Sequence, residues 1–467
     1  MHHLKDIEFK DWSDEHYSGK AVKMGAGVQG MEVNKAAFDQ GMQVVTGSCP
    51  TVGVAGGYSQ GGGHSALTSL RGMAADQVLE WEVVTAGGEH LTASRDQNTD
   101  LYWALSGGGG GTYGVVLSMT SKAHADTPTA GANLTFSSAG LSQETFYSLV
   151  SDFQTKVLPA STEAGVTTTF FVTNTSFAVR PMTGPGVTSS QLRDFMAPFM
   201  ARLDELNVRY ASYFGDFDSY TEFYAAMFAP LPVNAYVYTG RLLPREIVLN
   251  KGQDVTAAYS FINAHGATVI GIGLNASAPS DTPSNSVNPG WRDALVSLLI
   301  VTPSSYNKPW AYLQDTVEMI TEELTPKLAE ITPGGTTYLS EGDFRDPDWK
   351  KNFYGENYDR LEEIKDKYDP EHVFYAPTVS FSCPLGGWWS FWETSFTDFD
   401  FLHPGRWSRL LGSSRRRAPL QGVIGNEEEG KETMSCLRRW RKKSHLPDSR
   451  GLKSNLPVNA RREKSIF

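Results

Sequence analysis

The stretch Gly47-Ser-Cys-Pro-Thr-Val-Gly-Val-Ala-Gly-Gly-Tyr-Ser-Gln-Gly-Gly-Gly-His64 decides how this chain is read. It holds seven glycines and one cysteine. Helices and strands do not tolerate that density, because each glycine costs about 0.5–1 kcal/mol there relative to alanine. Glycine at this frequency marks backbone that approaches a ligand closely or turns through positive φ. The bland alternative is a mobile linker. The embedded Cys49-Pro50-Thr51-Val52 and the strand-like flanks argue against it.

A second run, Gly107 to Gly114, contains a literal G-x-G-x-x-G at Gly109, Gly111 and Gly114. The dinucleotide fingerprint needs a strand before it and a helix after it. Here Asp100–Leu105 reads as a helix and Val115–Thr120 as a strand, so the context is inverted and a Rossmann site is rejected. What remains is a loop whose N–H groups can hold a phosphate or a flavin edge. Cys49 lacks a cysteine-protease signature, which leaves a small buried hydrophobe or a point of covalent attachment. His64 follows three glycines and could reach a cofactor, although a lone histidine is more often structural.

Outward from these loops the elements follow from periodicity. Ile7–Phe9 and Lys20–Met24 read as strands, and Val28–Phe38 as a helix with Val28, Met31 and Ala37/Phe38 near one face. Val78–Thr85 and His90–Ser94 form a hairpin across a glycine turn. A domain crossing falls at Asp126–Pro128. Ser142–Leu158 carries the stripe Phe146, Leu149, Val150, Phe153 and Val157. Thr188–Gln191 is a capping box for a helix to Leu206, with a kink expected at Pro198. Strands at Thr167–Thr173, Val208–Phe214, Tyr236–Leu243, Thr268–Leu274 and Leu295–Val301, with a helix over Tyr312–Ile331, predict an antiparallel sheet backed by helices. A last helix covers Asn357–Tyr368, and from Phe381 onward the pattern reads as a disordered tail.

Net charge is −11, and it is uneven. Residues 401–467 hold sixteen Lys and Arg against six Asp and Glu, so the tail is near +10 and the rest near −21. An acidic body argues against nucleic-acid binding. Three cysteines make neither a disulfide framework nor a zinc pattern, so no metal is expected. No apolar run reaches the roughly 18 residues of a membrane span.

Five segments together carry a family resemblance. They are Gly47–Gly53 with Gly61–His64, Gly72–Asp76, Val78–Ala86, Gly107–Val116, and Tyr354–Leu361 with Ile364–Pro370. The chain resembles, over about residues 3–377, the fungal berberine bridge enzyme-like oxidases. These belong to the vanillyl-alcohol-oxidase superfamily, with its p-cresol-methylhydroxylase-type (PCMH) FAD domain. The resemblance implies an α+β fold in four parts: an FAD-binding domain at 1–127 lacking its first lobe, a substrate domain at 128–335, a return segment at 336–380 and an unrelated tail at 381–467. The family's second flavin anchor, a histidine in an R-x-x-G-H segment, has no counterpart at Met1, His2 and His3, which leads to the expectation of an N-terminally truncated chain.

The resemblance also implies roles. Cys49 would form a thioether to FAD. Pro50, Thr51, Val52 and Gly53 would run along the flavin ring, with Gly57, Gly62, Gly63, His64 and Asp76 nearby. Gly108, Gly109, Gly110, Gly111 and Gly114 would wrap the pyrophosphate, and Val116 would meet the adenine. Asn357 and Tyr358 match the family's N-Y pair near the flavin. Val52 stands at the family's oxygen gate, where valine goes with oxidases, so O2 is the expected electron acceptor. In sugar-oxidising relatives a Y-x-N-Y tyrosine is the base; here the segment reads Tyr338-Leu339-Ser340-Glu341, which leaves Tyr338, Glu341 or neither. The expected partners are a small alcohol, sugar or secondary metabolite and O2, and the rival reading is a remnant that binds flavin weakly or not at all.

Overall fold

Trp81 anchors the first half of the molecule. The alternating run of which it is part forms a strand whose inward side chains are buried, and its indole N–H donates to Ser106 Oγ at 3.0 Å. The computed structural model describes residues 1–228, 236–279, 282–303 and 307–379. The tail from 381 falls outside them.

In chain order the first strands are β1 (Ile7–Ser13), β2 (Ser18–Gly25), β3 (Met42–Gln43), β4 (Val78–Val84), β5 (His90–Ser94), β6 (Val115–Lys122) and β7 (His124–Ala125). Then come β8 (Thr129–Ser137), β9 (Thr167–Val172), β10 (Ser176–Pro185), β11 (Tyr210–Phe217), β12 (Tyr236–Pro244), β13 (Thr268–Gly273) and β14 (Ala294–Pro303). The first group makes an antiparallel sheet of order β1-β2-β6-β4-β5, with β3 and β7 paired separately. The second makes an antiparallel sheet of order β11-β8-β10-β9-β13-β14-β12. The change of sheet falls at Thr127–Pro128, and Met1–Phe381 nevertheless forms one compact unit.

The seven-stranded sheet is backed by helices Gln143–Lys156, Ser189–Glu205 and Gly252–Ala264. Each apolar stripe meets the sheet: Phe146, Phe153 and Phe199 from the helices pack on Phe136, Phe170 and Phe177. Neighbouring rings lie 5.0–6.2 Å apart, the separation that edge-to-face aromatic pairs favour. Ser142 and Thr188 cap their helices, each oxygen accepting from the backbone N–H three residues on. The helix from Ser189 continues through Pro198.

Two expectations are corrected. The helix Gly30–Phe38 buries Val33, Asn34 and Ala37 and leaves Met31 and Phe38 exposed, so its inward face is turned by about two positions. Strand β10 and the helices Tyr220–Met227 and Gly252–Ala264 have no counterpart in the sequence reading. β10 contains Pro181 and Pro185 and a register shift between Val179 and Met182, features that lower its strand signal.

Two devices bind the sheets together. From helix Tyr220–Met227, Tyr220, Phe223 and Tyr224 pack against Val45, Ala66, Leu67 and Ala74 of the glycine-loop half. The segment after Thr337 returns to the first sheet, where Phe353, Tyr354, Tyr358, Leu361 and Ile364 join its core. Lys365, fully buried, is held by Asp369 and by the carbonyls of Thr112 and Phe374.

Candidate functional site

The two glycine runs meet. A Cβ on Gly110 would stand 2.8 Å from Gly57 Cα, and one on Gly61 would stand 2.9 Å from Ser340 Oγ and 3.2 Å from Leu339. The backbones of 56–63, 107–111 and 338–341 thus form a single patch. Its glycines divide into two kinds. At Gly63, Gly107, Gly108, Gly110 and Gly114 an added Cβ would collide with protein atoms; on Gly114 it would meet Val83 and the Val84 carbonyl, so that glycine serves strand packing. At Gly56, Gly57 and Gly111 nothing lies within 4 Å. At these three the space beside the backbone is open to a ligand.

Cys49 is a free, half-exposed thiol 3.6 Å from Thr51 Oγ1. Its loop is pinned on both sides. Tyr224 donates its hydroxyl to the Ser48 carbonyl at 2.6 Å, and the Val52 carbonyl and the Val54 N–H pair with Gly30 N–H and the Val28 carbonyl. Thr51 and Val52 are exposed on the result, and Gly53 bridges to Gln29. Gly62 and Gly63 accept from the N–H groups of Ala75 and Ala74, and Gly109 donates to the Gln60 carbonyl. Val116 is buried opposite Val83.

Several polar atoms beside this patch lack partners. Ser59 Oγ, Gln60 Oε1, Thr112 Oγ1 and Glu341 Oε2 are buried with no hydrogen bond among the described residues. Each such orphan costs about 1–3 kcal/mol, and four beside one exposed glycine floor fit a site completed by a polar ligand.

His64 Nε2 lies 3.1 Å from Glu341 Oε1, across 277 residues of sequence. Its ring sits 5.3 Å from that of Tyr338 and 5.6 Å from Trp291, and those two are 5.4 Å apart. Tyr338 is buried. Burial, with the Glu341 charge beside it, pushes its phenol above the ordinary value.

Three residues expected near the cofactor have partners within the protein. The carboxylate of Asp76, with no solvent exposure, takes both Arg292 amino groups at 2.8 Å, the Met73 N–H and Asn285 Nδ2, so it has no valence left for a cofactor. Asn357 donates to the carbonyls of Ser286 and Val287, and the Tyr358 hydroxyl binds Glu362 on its own helix. Trp291, Arg292 and Tyr224 were not anticipated. Their partners are far off in sequence, and no local pattern marks them.

No group of His, Cys, Asp and Glu among the described residues could hold a metal ion. No helix there is long and apolar enough to cross a membrane.

Comparison with known proteins bears on this geometry. Residues 4–94 match a family described as an FAD binding domain, and residues 337–378 one described as berberine and berberine like. The FAD-linked oxidoreductase ZEB1 of Gibberella zeae is 44% identical over 381 residues, covering 80% of this chain and 66% of its own length. The FAD-linked oxidoreductase patO of Penicillium expansum is 42% identical over 382 residues, 81% of this chain and 67% of the relative. Among solved structures, the VAO-type flavoprotein MtVAO615 of Myceliophthora thermophila matches with a TM-score of 0.77 at 36% identity, over 81% of this chain and 70% of that one. Glucooligosaccharide oxidase of Acremonium strictum shares the fold alone, at 18% identity and a TM-score of 0.64.

The fold is that of the vanillyl-alcohol-oxidase flavoproteins. This chain belongs to the fungal berberine bridge enzyme-like, FAD-linked oxidoreductases, a family whose cofactor is FAD. It spans about two thirds of the length of these relatives.

Proposed function

We propose that the chain works as an FAD-dependent oxidase that turns an alcohol carbon of a small hydroxylated metabolite or sugar into a carbonyl, with O2 as final electron acceptor. The observation that carries this is the single patch formed by the 56–63 and 107–111 glycine runs and the 338–341 segment, with a free, half-exposed Cys49 in the loop that leads into it. Residues 1–127 would carry the flavin floor, 128–335 the substrate wall, and 336–380 would close the floor from below. Cys49 would hold the flavin as a thioether, the kind of link found in the 6-S-cysteinyl FAD of Acremonium strictum glucooligosaccharide oxidase. Thr51, Val52 and Gly53 would support the ring, and Gly56, Gly57 and Gly111 would admit the rest of the cofactor.

When bound, FAD supplies the hydride acceptor. The protein supplies orientation and an acceptor for the hydroxyl proton, which the 338–341 segment would provide. The substrate thus loses a hydride and a proton, and O2 takes up two electrons and two protons as H2O2. Val52, exposed on the Cys49 loop, would stand where oxygen arrives. The names of relatives as FAD-linked oxidoreductases support this reading.

The test is direct. The purified chain is precipitated with acid and flavin absorbance is read in pellet and supernatant. Yellow colour is expected in the pellet, and Cys49→Ala should move it to the supernatant. Peroxide release is then measured over a panel of sugars and benzylic alcohols. Colourless protein from riboflavin-fed cells would remove the proposal.

A further inference from the structure

We infer that Glu341 is the proton acceptor of this site and that His64 is its positioning residue, with a neutral ring-bearing alcohol as the substrate class; this rests on the oxidase reading above. Three observations support it.

The first is the unequal use of the two Glu341 oxygens. Oε1 binds His64 Nε2 at 3.1 Å. Oε2 is buried and has no hydrogen-bond donor among the described residues. A buried carboxylate oxygen is costly unless a donor reaches it, and a substrate hydroxyl is such a donor. As the alcohol is oxidised, its O–H bond breaks and the proton passes to Oε2. The O–H electron pair becomes the second bond of the carbonyl while the adjacent C–H leaves as hydride to the flavin.

The second is the state of Tyr338. Burial, and after it the Glu341 charge, raise its phenol above the ordinary value and favour the neutral form. A phenol held neutral in this way is a wall of the site and does not accept the proton.

The third is the packing of His64. Its ring packs against Trp291 and Tyr338, which also touch each other, with only 13% of its side chain exposed. That packing on two rings limits rotation of the imidazole and keeps Nε2 on Oε1. Positioning by a locked neighbour is how an acceptor holds its geometry.

The surroundings narrow the substrate. Burial and, after it, the Glu341 charge raise the phenol of Tyr238 of β12, and a Cβ on Gly240, two residues along the same face, would meet the Glu341 carbonyl. Tyr236 and Tyr238 share that face and are both exposed, 45% and 44%. Two exposed phenol rings at alternate positions of one strand offer apolar faces on which a ring can stack. The Glu341 carboxylate beside them disfavours an anionic substrate.

The experiment has two arms on the full chain. In the first, the protein is labelled with 15N-histidine and the His64 Nε2–H signal is assigned by its loss in His64→Gln. Glu341→Ala should shift or abolish this signal, and Tyr338→Phe should leave it in place. An unchanged signal in Glu341→Ala overturns the inference, whatever the flavin content. In the second arm, turnover is followed by oxygen uptake with the panel alcohol that the wild type oxidises fastest, at equal acid-precipitable flavin. Glu341→Gln should lower kcat by about 10²–10⁴-fold, the usual worth of a positioned acid or base, with KM nearly kept. Tyr338→Phe should cost less than tenfold. His64→Gln, which keeps an N–H donor, should retain more kcat than His64→Leu. A Glu341→Gln variant within threefold of wild type, or a larger loss in Tyr338→Phe, overturns the inference. Flavin-loaded wild type that oxidises nothing in the panel removes the oxidase reading and the proton-acceptor role with it, while the first arm still decides the His64–Glu341 pair.

Discussion

Behind the seven-stranded sheet, side chains fill the space that backbone leaves; on the glycine loops, backbone occupies space that side chains would need. Phe136, Phe146, Phe153, Phe170, Phe177 and Phe199 interlock in the first region. In the second, Gly57 and Gly110 bring two chain segments so close that a Cβ would stand 2.8 Å from the opposite backbone. The core derives stability from apolar burial and dense packing. The glycine patch forgoes that burial and leaves four orphaned polar atoms beside it. Stability and ligand chemistry are thus assigned to different regions of one fold.

Four changes probe this division. Phe177→Ala should destabilise most, by about 3–5 kcal/mol, read as a lower urea midpoint; flavin per folded molecule should stay constant, because Phe177 is remote from the loops. If flavin content fell in proportion, the two regions would not be separable.

Asp76→Ala should cost about 3 kcal/mol by leaving Arg292 without its carboxylate partner. It also frees the 73–76 turn that supports Gly62 and Gly63. This variant should lower the urea midpoint and flavin content together, the signature of a link between the regions.

Acid should act more weakly and in a bounded window. Two backbone N–H groups and Lys365 hold Asp369 below the ordinary carboxylate range against the opposing effect of burial. A folded pKa lower than the unfolded one contributes stability that is complete above about pH 4 and is lost as pH falls through the folded value. Urea midpoints should therefore drop below pH 4, and Asp369→Asn should be less stable at pH 7 with a flatter acid limb.

Gly57→Ala should have the smallest effect on stability, within about 0.5 kcal/mol, because nothing lies within 4 Å of the added methyl. It should still weaken flavin retention, measured as free flavin on gel filtration. Unaltered retention would mean that the open glycines do not face the cofactor.

Much of this was readable beforehand for a physical reason. The β4–β5 hairpin, the Phe146–Val157 stripe and the Thr188 capping box are local patterns in which neighbouring residues specify one element. The glycine runs were equally visible in composition, but the expectation that they hold no helix is corrected: Val54–Tyr58 forms a helical turn kinked at Gly56. The helix Gly30–Phe38 was seen but turned, because Met31 and Phe38 are as apolar as Val33 and Ala37 and only packing picks the inward face. Strand β10 was hidden by its prolines, which propensity scores against a strand and which its bulge accommodates.

From residues alone came the two sheets' main strands and the family with its cofactor. The fold alone separates the crowded glycines from the open ones, gives Asp76 to Arg292, and sets His64 against Glu341. Those facts depend on contacts across 216 and 277 residues. Local periodicity carries no information about which distant segments the packed chain brings to one place.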